Sequence, residues 1–208
     1  MTAKGSTCGP TVTTKSVNLS EESGEYPFAG YKKVLGEIYR RVRERDGISV
    51  LDIGFGTGVL TSRLYDAGYQ ITGIDFSEKM IGIARRRMPN ALLIQWDFSK
   101  GLPKGLEGRH FDDIVSTYAL HHLTDAEKPG FVRTLSGLLR PGGRILIGDV
   151  SFTTRRELEL CREKYEKFWD PGEYYFVAEE LEKSLGNGFA CEYRKLSHCA
   201  GVLSVVTA

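Results

Sequence analysis

The sequence has few cysteines, and their spacing shows no metal-binding or disulfide motif. Its four cysteines, Cys8, Cys161, Cys191 and Cys199, stand far apart and form no CxxC pair. Zinc sites and disulfide frameworks normally show such pairs or closely spaced sets. We therefore expect reduced thiols that are mostly packed in the interior, and no metal site.

Long apolar runs are also missing. No run approaches the roughly 20 apolar residues that a membrane-spanning helix needs, and residues 1–24 lack the apolar core of a secretory signal. We therefore expect a cytoplasmic protein with no membrane partner. Because residues 1–24 are rich in Thr, Ser, Gly and Lys and poor in large apolar side chains, they are expected to form a flexible tail.

An excess of charge of either sign is absent too. The 208 residues include 28 Lys and Arg against 27 Asp and Glu, and 41% are hydrophobic. Proteins that bind the nucleic acid backbone normally present a basic face, so nucleic acid is not expected as a partner. The length and composition are typical of one globular domain with a substantial core.

What the chain does contain is a regular alternation of apolar patterns. Apolar residues at steps of three and four predict an amphipathic helix from Pro27 to Arg45. Short apolar runs then predict strands at Ser49–Ile53, Gln70–Asp75, Ala91–Asp97, Asp112–Tyr118 and Arg144–Val150. Helical segments are predicted between them at Gly58–Ala67, Ser77–Met88 and Asp125–Leu139. This alternation predicts a Rossmann-like, doubly wound α/β sheet covered by helices on both faces.

The end of the chain has a different pattern. A helix is predicted at Val177–Leu185, after a region rich in aromatic residues. The two last apolar runs, "FACEYRKLSH" and "AGVLSVVTA", predict an antiparallel hairpin.

The loop "GFGTG", residues 54–58, follows the first predicted strand directly. Ligands bind parallel α/β sheets at the carboxyl ends of the strands, and glycine permits positive φ and close backbone approach. A P-loop would continue with Lys and Ser or Thr, but Val59 and Leu60 follow Gly58. Val59 also breaks the G-x-G-x-x-G/A dinucleotide pattern, which argues against the alternative of an NAD-dependent oxidoreductase.

The motif "LDIGFGTG" instead resembles motif I of the class I S-adenosylmethionine-dependent methyltransferases. Four later segments resemble that family's further motifs in the expected order: "GIDFSEKMI", "IQWDF", "FDDIVSTYALHHL" and "LLRPGGRILIGDV". The stretch "IVSTYALHHLTD" is most similar to the small YrrT-like members. The resemblance implies S-adenosyl-L-methionine as cofactor and a seven-stranded sheet, mostly parallel, with an antiparallel last strand.

The resemblance also implies cofactor-binding residues. Asp75 would accept hydrogen bonds from the ribose hydroxyls, as an acid does about 20 residues after a dinucleotide loop. Asp97 would accept one from the adenine amino group, or else be a turn residue. Asp52 needs a partner if buried, either the loop N–H groups or the amino group of the methionine moiety. The full set is Asp52, Gly54, Gly56, Gly58, Asp75, Phe76, Met80, Asp97, Phe98 and Thr117. Phe76 and Met80 would pack beneath the adenine ring or in the core.

His121 and His122 are the candidate catalytic residues. They follow the fourth predicted strand, and an imidazole titrates close enough to neutrality to remove a proton from a methyl acceptor. Adjacent side chains point in different directions, so at most one is expected to face the site. A buried, hydrogen-bonded histidine is the alternative interpretation.

The domain plan expected from the resemblance is a tail at residues 1–24 and a single methyltransferase domain at 25–208. That domain would comprise a cofactor-binding core at 48–150, an insertion covering the acceptor at 151–188 and a hairpin at 189–208. The aromatic residues of "YEKFWDPGEYYF" and "EYPFAGY" would line the acceptor pocket, the latter as part of a lid, or simply pack against the sheet.

The predicted function is methyl transfer to a small-molecule acceptor. The Asn/Asp-Pro-Pro-Tyr/Phe sequence of nucleobase amino methyltransferases is absent after the fourth strand, where "STYALHH" stands. The alternative is a non-catalytic cofactor-binding protein that acts as a regulator or partner. The oligomeric state is expected to be monomer or homodimer.

Overall fold

A computed structural model describes residues 24–208 of the chain. Nearly all of the predicted tail, together with Cys8, lies outside the described residues. The described part is built on a single eight-stranded sheet. Its strands are β1 Ser49–Ile53, β2 Gln70–Asp75, β3 Leu92–Gln95, β4 Phe111–Thr117, β5 Leu139–Phe152, β6 Phe176–Val177, β7 Phe189–Lys195 and β8 Ala200–Thr207.

The strand order is β3-β2-β1-β4-β5-β8-β7, with the short β6 paired to the end of β5. Strands β1 to β5 run parallel to one another, whereas β8 runs antiparallel to both β5 and β7. The mostly parallel, Rossmann-like sheet with an antiparallel last strand is therefore confirmed. Its order reverses at β1, where β4 lies on the side opposite to β2, and this reversal creates the crevice in which ligands of such sheets bind.

Within residues 24–208, six α-helices cover the sheet: α1 Tyr31–Arg43, α2 Val59–Asp66, α3 Glu78–Arg87, α4 Glu127–Ser136, α5 Arg155–Lys164 and α6 Ala178–Leu185. Apolar residues of α1 and α2 pack with one group of strand residues, including Val115 and Leu146. Residues of α4 and α6 pack with a second group, including Ile114 and Ile145. Because adjacent strand residues point to opposite faces, these two cores lie on opposite sides of the sheet.

Several predicted boundaries are wrong for local reasons. The first helix begins at Tyr31 rather than Pro27, because Gly30 at its start has a left-handed φ of 83°. The fourth predicted helix ends at Ser136, because Leu139 already pairs with Phe111 as part of a long β5. The sequence also did not predict α5.

Ion pairs hold α1 against the hairpin. Arg41 is buried and donates from Nε to Glu37 at 2.8 Å and from Nη2 to Glu192 on β7 at 2.7 Å. Arg194 Nη1 lies 3.0 Å from the same Glu37 carboxylate. These contacts fix α1, and with it the segment that precedes it, relative to the sheet. None of the helices in residues 24–208 is long and apolar enough to cross a membrane.

Candidate active site

The glycine loop lies at the carboxyl end of β1, beside the carboxyl end of β2. Gly54, Gly56 and Gly58 all have positive φ, at 72°, 56° and 75°. A Cβ atom at Gly54 would lie 2.4 Å from the Cβ of Ala119, so the protein itself requires glycine there. A Cβ at Gly56 would meet nothing within 4 Å. The loop therefore packs tightly on one side and presents open backbone at Gly56.

Asp75, the last residue of β2, holds this loop in place. Its Oδ2 accepts a hydrogen bond from the Gly56 N–H at 2.8 Å, and its Oδ1 accepts one from the Ser77 N–H at 2.8 Å. Ser77, not Asp75, caps α3 by accepting from the Met80 N–H. Burial raises the pKa of Asp75, although these hydrogen bonds oppose the effect. Each carboxylate oxygen has a further lone pair, so a ligand hydroxyl can still bind.

Asp52 lies wholly buried on β1, with one of its oxygens unsatisfied. In place of the loop N–H groups that the sequence suggested, the Thr61 hydroxyl donates to Oδ2 at 2.6 Å. Oδ1 is buried and has no hydrogen-bond partner among the described residues. Burial raises the pKa of Asp52 to about 7. A buried polar atom without a partner is costly, so this oxygen suits a ligand that donates a proton or carries positive charge.

Asp97 follows β3, and its carboxylate contacts residues of the turn that it begins. Its Oδ1 accepts hydrogen bonds from the Ser99 hydroxyl at 2.6 Å and the Ser99 N–H at 3.1 Å. Lys100 Nζ lies 3.2 Å from Oδ2, and these contacts, led by Ser99, lower the pKa of Asp97. Phe98 is buried, and its ring contacts that of Phe131 in a tilted arrangement at 5.5 Å between ring centroids. It therefore packs beneath the glycine loop instead of lining an open surface.

The remaining residues predicted to bind the cofactor lie at the same end of the sheet. Phe76 is 57% exposed at the start of α3, so the core interpretation is wrong for this ring. Met80 is half-buried one turn later, and Thr117 is half-buried at the end of β4. We refer to Asp52, the loop 54–58 and Asp75 as the glycine edge.

The two histidines occupy different environments, as expected for adjacent residues. His121 is buried, and its Nδ1 lies 2.8 Å from Asp149 Oδ1 on β5. Its backbone N–H also donates to Asp149 Oδ2 at 3.2 Å. Burial opposes protonation of His121, but Asp149 and then Glu173 outweigh it and raise the pKa. His122 is exposed, and partial desolvation together with the neighbouring imidazole lowers its pKa.

Glu173 lies on the other side of the His121 ring and is followed by a chain of two tyrosine hydroxyls; the sequence did not single out Glu173. Its Oε1 is 3.7 Å from His121 Nε2, and its Oε2 accepts a hydrogen bond from the Tyr175 hydroxyl at 2.5 Å. The Tyr175 and Tyr26 hydroxyls are themselves 2.5 Å apart. We refer to His121, Asp149, Glu173, Tyr175 and Tyr26 as the histidine cluster.

Most of the aromatic residues that the sequence singled out pack against one another. Tyr26 stacks on Trp169 at 5.3 Å and on Tyr165 at 5.4 Å, and all three belong to one apolar cluster with Phe152 of β5. Phe168, by contrast, is 75% exposed. The segment before α1 therefore docks on the α5 region by ring packing.

Tyr118 joins the same segment to the end of β4. It has a left-handed φ of 50°, which is rare for a residue with a bulky side chain. Its ring contacts those of Tyr31 at 5.0 Å and Phe28 at 5.7 Å. Strained backbone of this kind clusters at functional sites. Here the strain occurs just before Ala119, which supports the glycine loop.

A concave region lies at the opposite end of the sheet from the glycine edge. It has a volume of about 730 Å³ and is lined by residues that include Ser49 and Gln70. Because these residues begin β1 and β2, the groove is separated from the glycine edge by the length of the strands. Among residues 24–208, no group of three or more His, Cys, Asp or Glu side chains is arranged to hold a metal ion.

Comparison with known proteins agrees with this geometry. Residues 50–143 match a family model described as a methyltransferase domain. A methyltransferase of Anoxybacillus flavithermus, curated without an assigned substrate, is 33% identical over 199 residues, which is 92% of this chain and 91% of the relative. One from Geobacillus kaustophilus is 36% identical over 170 residues, covering 81% of this chain and 74% of the relative.

Solved structures share the fold at low sequence identity. Magnesium protoporphyrin IX methyltransferase from Synechocystis, solved with bound S-adenosylhomocysteine (SAH), gives a TM-score of 0.71 at 20% identity, covering 97% of this chain and 90% of that one. DesVI of Streptomyces venezuelae gives 0.65 at 22% identity, covering 96% and 100%. The chain belongs to the class I S-adenosylmethionine-dependent methyltransferases.

Proposed function

We propose that this protein transfers the methyl group of S-adenosylmethionine to a small-molecule acceptor, with the glycine edge holding the cofactor and His121 acting as the base. The observation that carries the proposal is the proximity of two sites at the carboxyl ends of β1 and β4. One is a backbone loop that is open at Gly56, and the other is a histidine paired with a buried carboxylate.

The residues of the glycine edge fit the chemical groups of the cofactor. Asp75 would accept hydrogen bonds from the ribose hydroxyls with the lone pairs that Gly56 and Ser77 leave free. The unpartnered Asp52 Oδ1 suits the cationic amino group of the methionine moiety, directly or through a water molecule.

Adenine would lie between the exposed ring of Phe76, with Met80 beside it, and the turn that begins at Asp97. Asp97 can accept from the adenine amino group if it retains a lone pair beyond its contacts with Ser99. Phe98 and Thr117 would support this surface from below and from β4.

When bound, S-adenosylmethionine supplies a methyl group that is already activated by a sulfonium, so the protein needs no nucleophile of its own. Its task is to orient the acceptor and, where the acceptor atom carries a hydrogen, to take up that proton. Asp149 accepts from His121 Nδ1 and so leaves Nε2 as the basic atom. His122, exposed and without such a carboxylate, is the weaker candidate.

A small-molecule acceptor is supported by the enclosure of the histidine cluster. The segment before α1 and the segment after α5 pack together through Tyr26 and Trp169, and both rings contact Tyr175 of this cluster. Such a covered site excludes water and suits a ligand that can be surrounded.

The function can be tested with purified protein. Isothermal titration should detect binding of SAH but not of NADH. When ultrafiltered metabolites are added as acceptors, the protein should convert S-adenosylmethionine to SAH. Protein and RNA fractions serve as the contrasting acceptor pools. SAH binding without turnover on any pool would instead support a non-catalytic, cofactor-binding protein.

The catalytic assignment is tested with a matched pair of variants. With any acceptor found, His121→Gln should lower turnover by about 10²- to 10⁴-fold, which is the usual contribution of a general base. His122→Gln should lower it much less, and both variants should keep SAH affinity. Equal effects from the two substitutions would refute the assignment to His121.

A further inference from the structure

Glu173 faces the proposed base, His121, although the position of that histidine does not depend on it. His121 is already held by two contacts with Asp149, at 2.8 Å and 3.2 Å. Glu173 approaches the opposite ring nitrogen, Nε2, but stops at 3.7 Å, beyond hydrogen-bond distance. The carboxylate thus faces the basic nitrogen across a gap.

Two tyrosine hydroxyls in sequence fix the position of the Glu173 carboxylate. Its second oxygen, Oε2, accepts a hydrogen bond from the Tyr175 hydroxyl at 2.5 Å. The Tyr26 hydroxyl in turn lies 2.5 Å from the Tyr175 hydroxyl. Tyr175 and Tyr26 are both buried, and Tyr26 is clamped between Tyr165 and Trp169. A local hydrogen bond from Tyr175, itself in long-range contact with Tyr26, therefore holds a side chain that is still 24% exposed.

Resting on the proposed methyltransferase function, we propose that Glu173 is a second carboxylate of the acceptor site. The Oε1 of Glu173 and the Nε2 of His121 both face the hydrogen-bearing atom of the acceptor. The hydroxyls of Tyr175 and Tyr26 hold the Glu173 carboxylate in that position. The acceptor's proton passes to Nε2, and Glu173 stabilises the resulting imidazolium. The N-terminal segment, through Tyr26, then forms part of the acceptor site.

The charges around His121 indicate the class of acceptor. Asp149 lies below the ring from β5, Glu173 faces it from the segment after α5, and the exposed His122 is adjacent. Lys128 on α4 is a nearby cation; its Nζ pairs with the Asp125 carboxylate at 3.0 Å and donates a hydrogen bond to the Leu123 carbonyl at 2.6 Å. Two carboxylates against one imidazolium leave negative charge, which favours an alcohol, thiol or amine over a carboxylate or phosphate as acceptor.

The test measures His121 directly and needs no acceptor. In the full chain saturated with SAH, the His121 Cε1–H resonance, assigned by its loss in His121→Gln, is followed by NMR across roughly pH 5 to 8. Glu173→Gln keeps the shape and removes the charge, and it should lower the pKa of His121 by about one unit. Tyr175→Phe should lower it by less, because the carboxylate stays but is no longer held.

Glu166→Gln is the matched control, since Glu166 is an exposed glutamate of the same segment, and it should leave the titration unchanged. An unchanged His121 titration in Glu173→Gln, with SAH binding and thermal stability intact, would overturn the proposal and leave the methyltransferase function standing. If the unsubstituted protein did not bind SAH at all, the proposed methyltransferase function itself would be refuted. With an acceptor in hand, Glu173→Gln should lower kcat without changing KM for the cofactor, and a normal kcat would also overturn the proposal.

Discussion

The glycine edge takes its residues from one continuous stretch of chain, Asp52 to Asp75, and its key contacts are local. The Thr61 hydroxyl reaches Asp52 and the Gly56 N–H reaches Asp75 across a single loop and helix. The histidine cluster instead gathers Tyr26, His121, Asp149 and Glu173 from four distant segments. One side of the site is therefore a product of local backbone conformation, and the other depends on the docking of separate elements.

This contrast suggests different sensitivities. A substitution at the glycine edge should disturb the loop and cofactor binding together, because the same atoms serve both. Substitutions in the histidine cluster should alter proton chemistry and leave cofactor binding intact.

The largest effect is expected for Gly54→Ala. A left-handed alanine costs roughly 1–2 kcal/mol, and the added Cβ would also overlap Ala119 at 2.4 Å. We expect unfolding by urea to show a loss of more than about 2 kcal/mol, and calorimetry to show no measurable SAH binding.

Gly108→Ala is the control for that variant, because Gly108 has nearly the same φ, 71°, and open space around it. It should show the conformational cost alone and bind SAH normally. If Gly54→Ala also bound SAH normally, the close packing of Gly54 against Ala119 could not be necessary for the conformation of the cofactor loop.

An intermediate effect is expected for Asp75→Ala. Loss of a carboxylate that accepts from both the loop and the ribose should weaken SAH binding by about 1.5–3 kcal/mol, measured by isothermal titration. Asp75→Asn should lose less, since its amide oxygen can still accept one hydrogen bond. Removal of the exposed Asp66 carboxylate by alanine should change nothing, and equal affinities for all three variants would exclude Asp75 from the cofactor site.

The smallest effect concerns the pH dependence of Asp52. Because burial raises its pKa from 3.8 to about 7, the folded state binds more protons than the unfolded state between these values. Stability contributed by this group is therefore present at low pH and declines as pH rises through that window. Asp52→Asn stays neutral, so its stability relative to the parent should rise by about 1–2 kcal/mol between pH 6 and pH 8 in urea unfolding.

SAH should reduce that difference between parent and variant, because its amino group would favour the ionised carboxylate. An Asp52→Asn profile parallel to the parent would mean that Asp52 is already ionised and paired.

The sequence by itself determined the parts that follow from local rules. The strands Ser49–Ile53 and Gln70–Asp75 were predicted with the observed bounds, because short apolar runs next to turn residues leave little choice of conformation. The glycine spacing argued against a P-loop and a dinucleotide loop, and the resemblance of five motifs in order indicated the family. The order of motifs likewise indicated the sheet, and the roles of individual residues in binding remain predictions.

Tertiary structure decided which polar side chains meet. The sequence indicated the histidine pair but not that His121 would lie on Asp149, that Glu173 would face the same ring, or that Tyr26 would contact Tyr175. These residues are distant in the chain, and their pairing depends on how β5, α5 and the N-terminal segment pack. A buried polar group must find a partner, but local patterning does not specify which one, so the chemistry of the acceptor side emerges only when the elements are assembled.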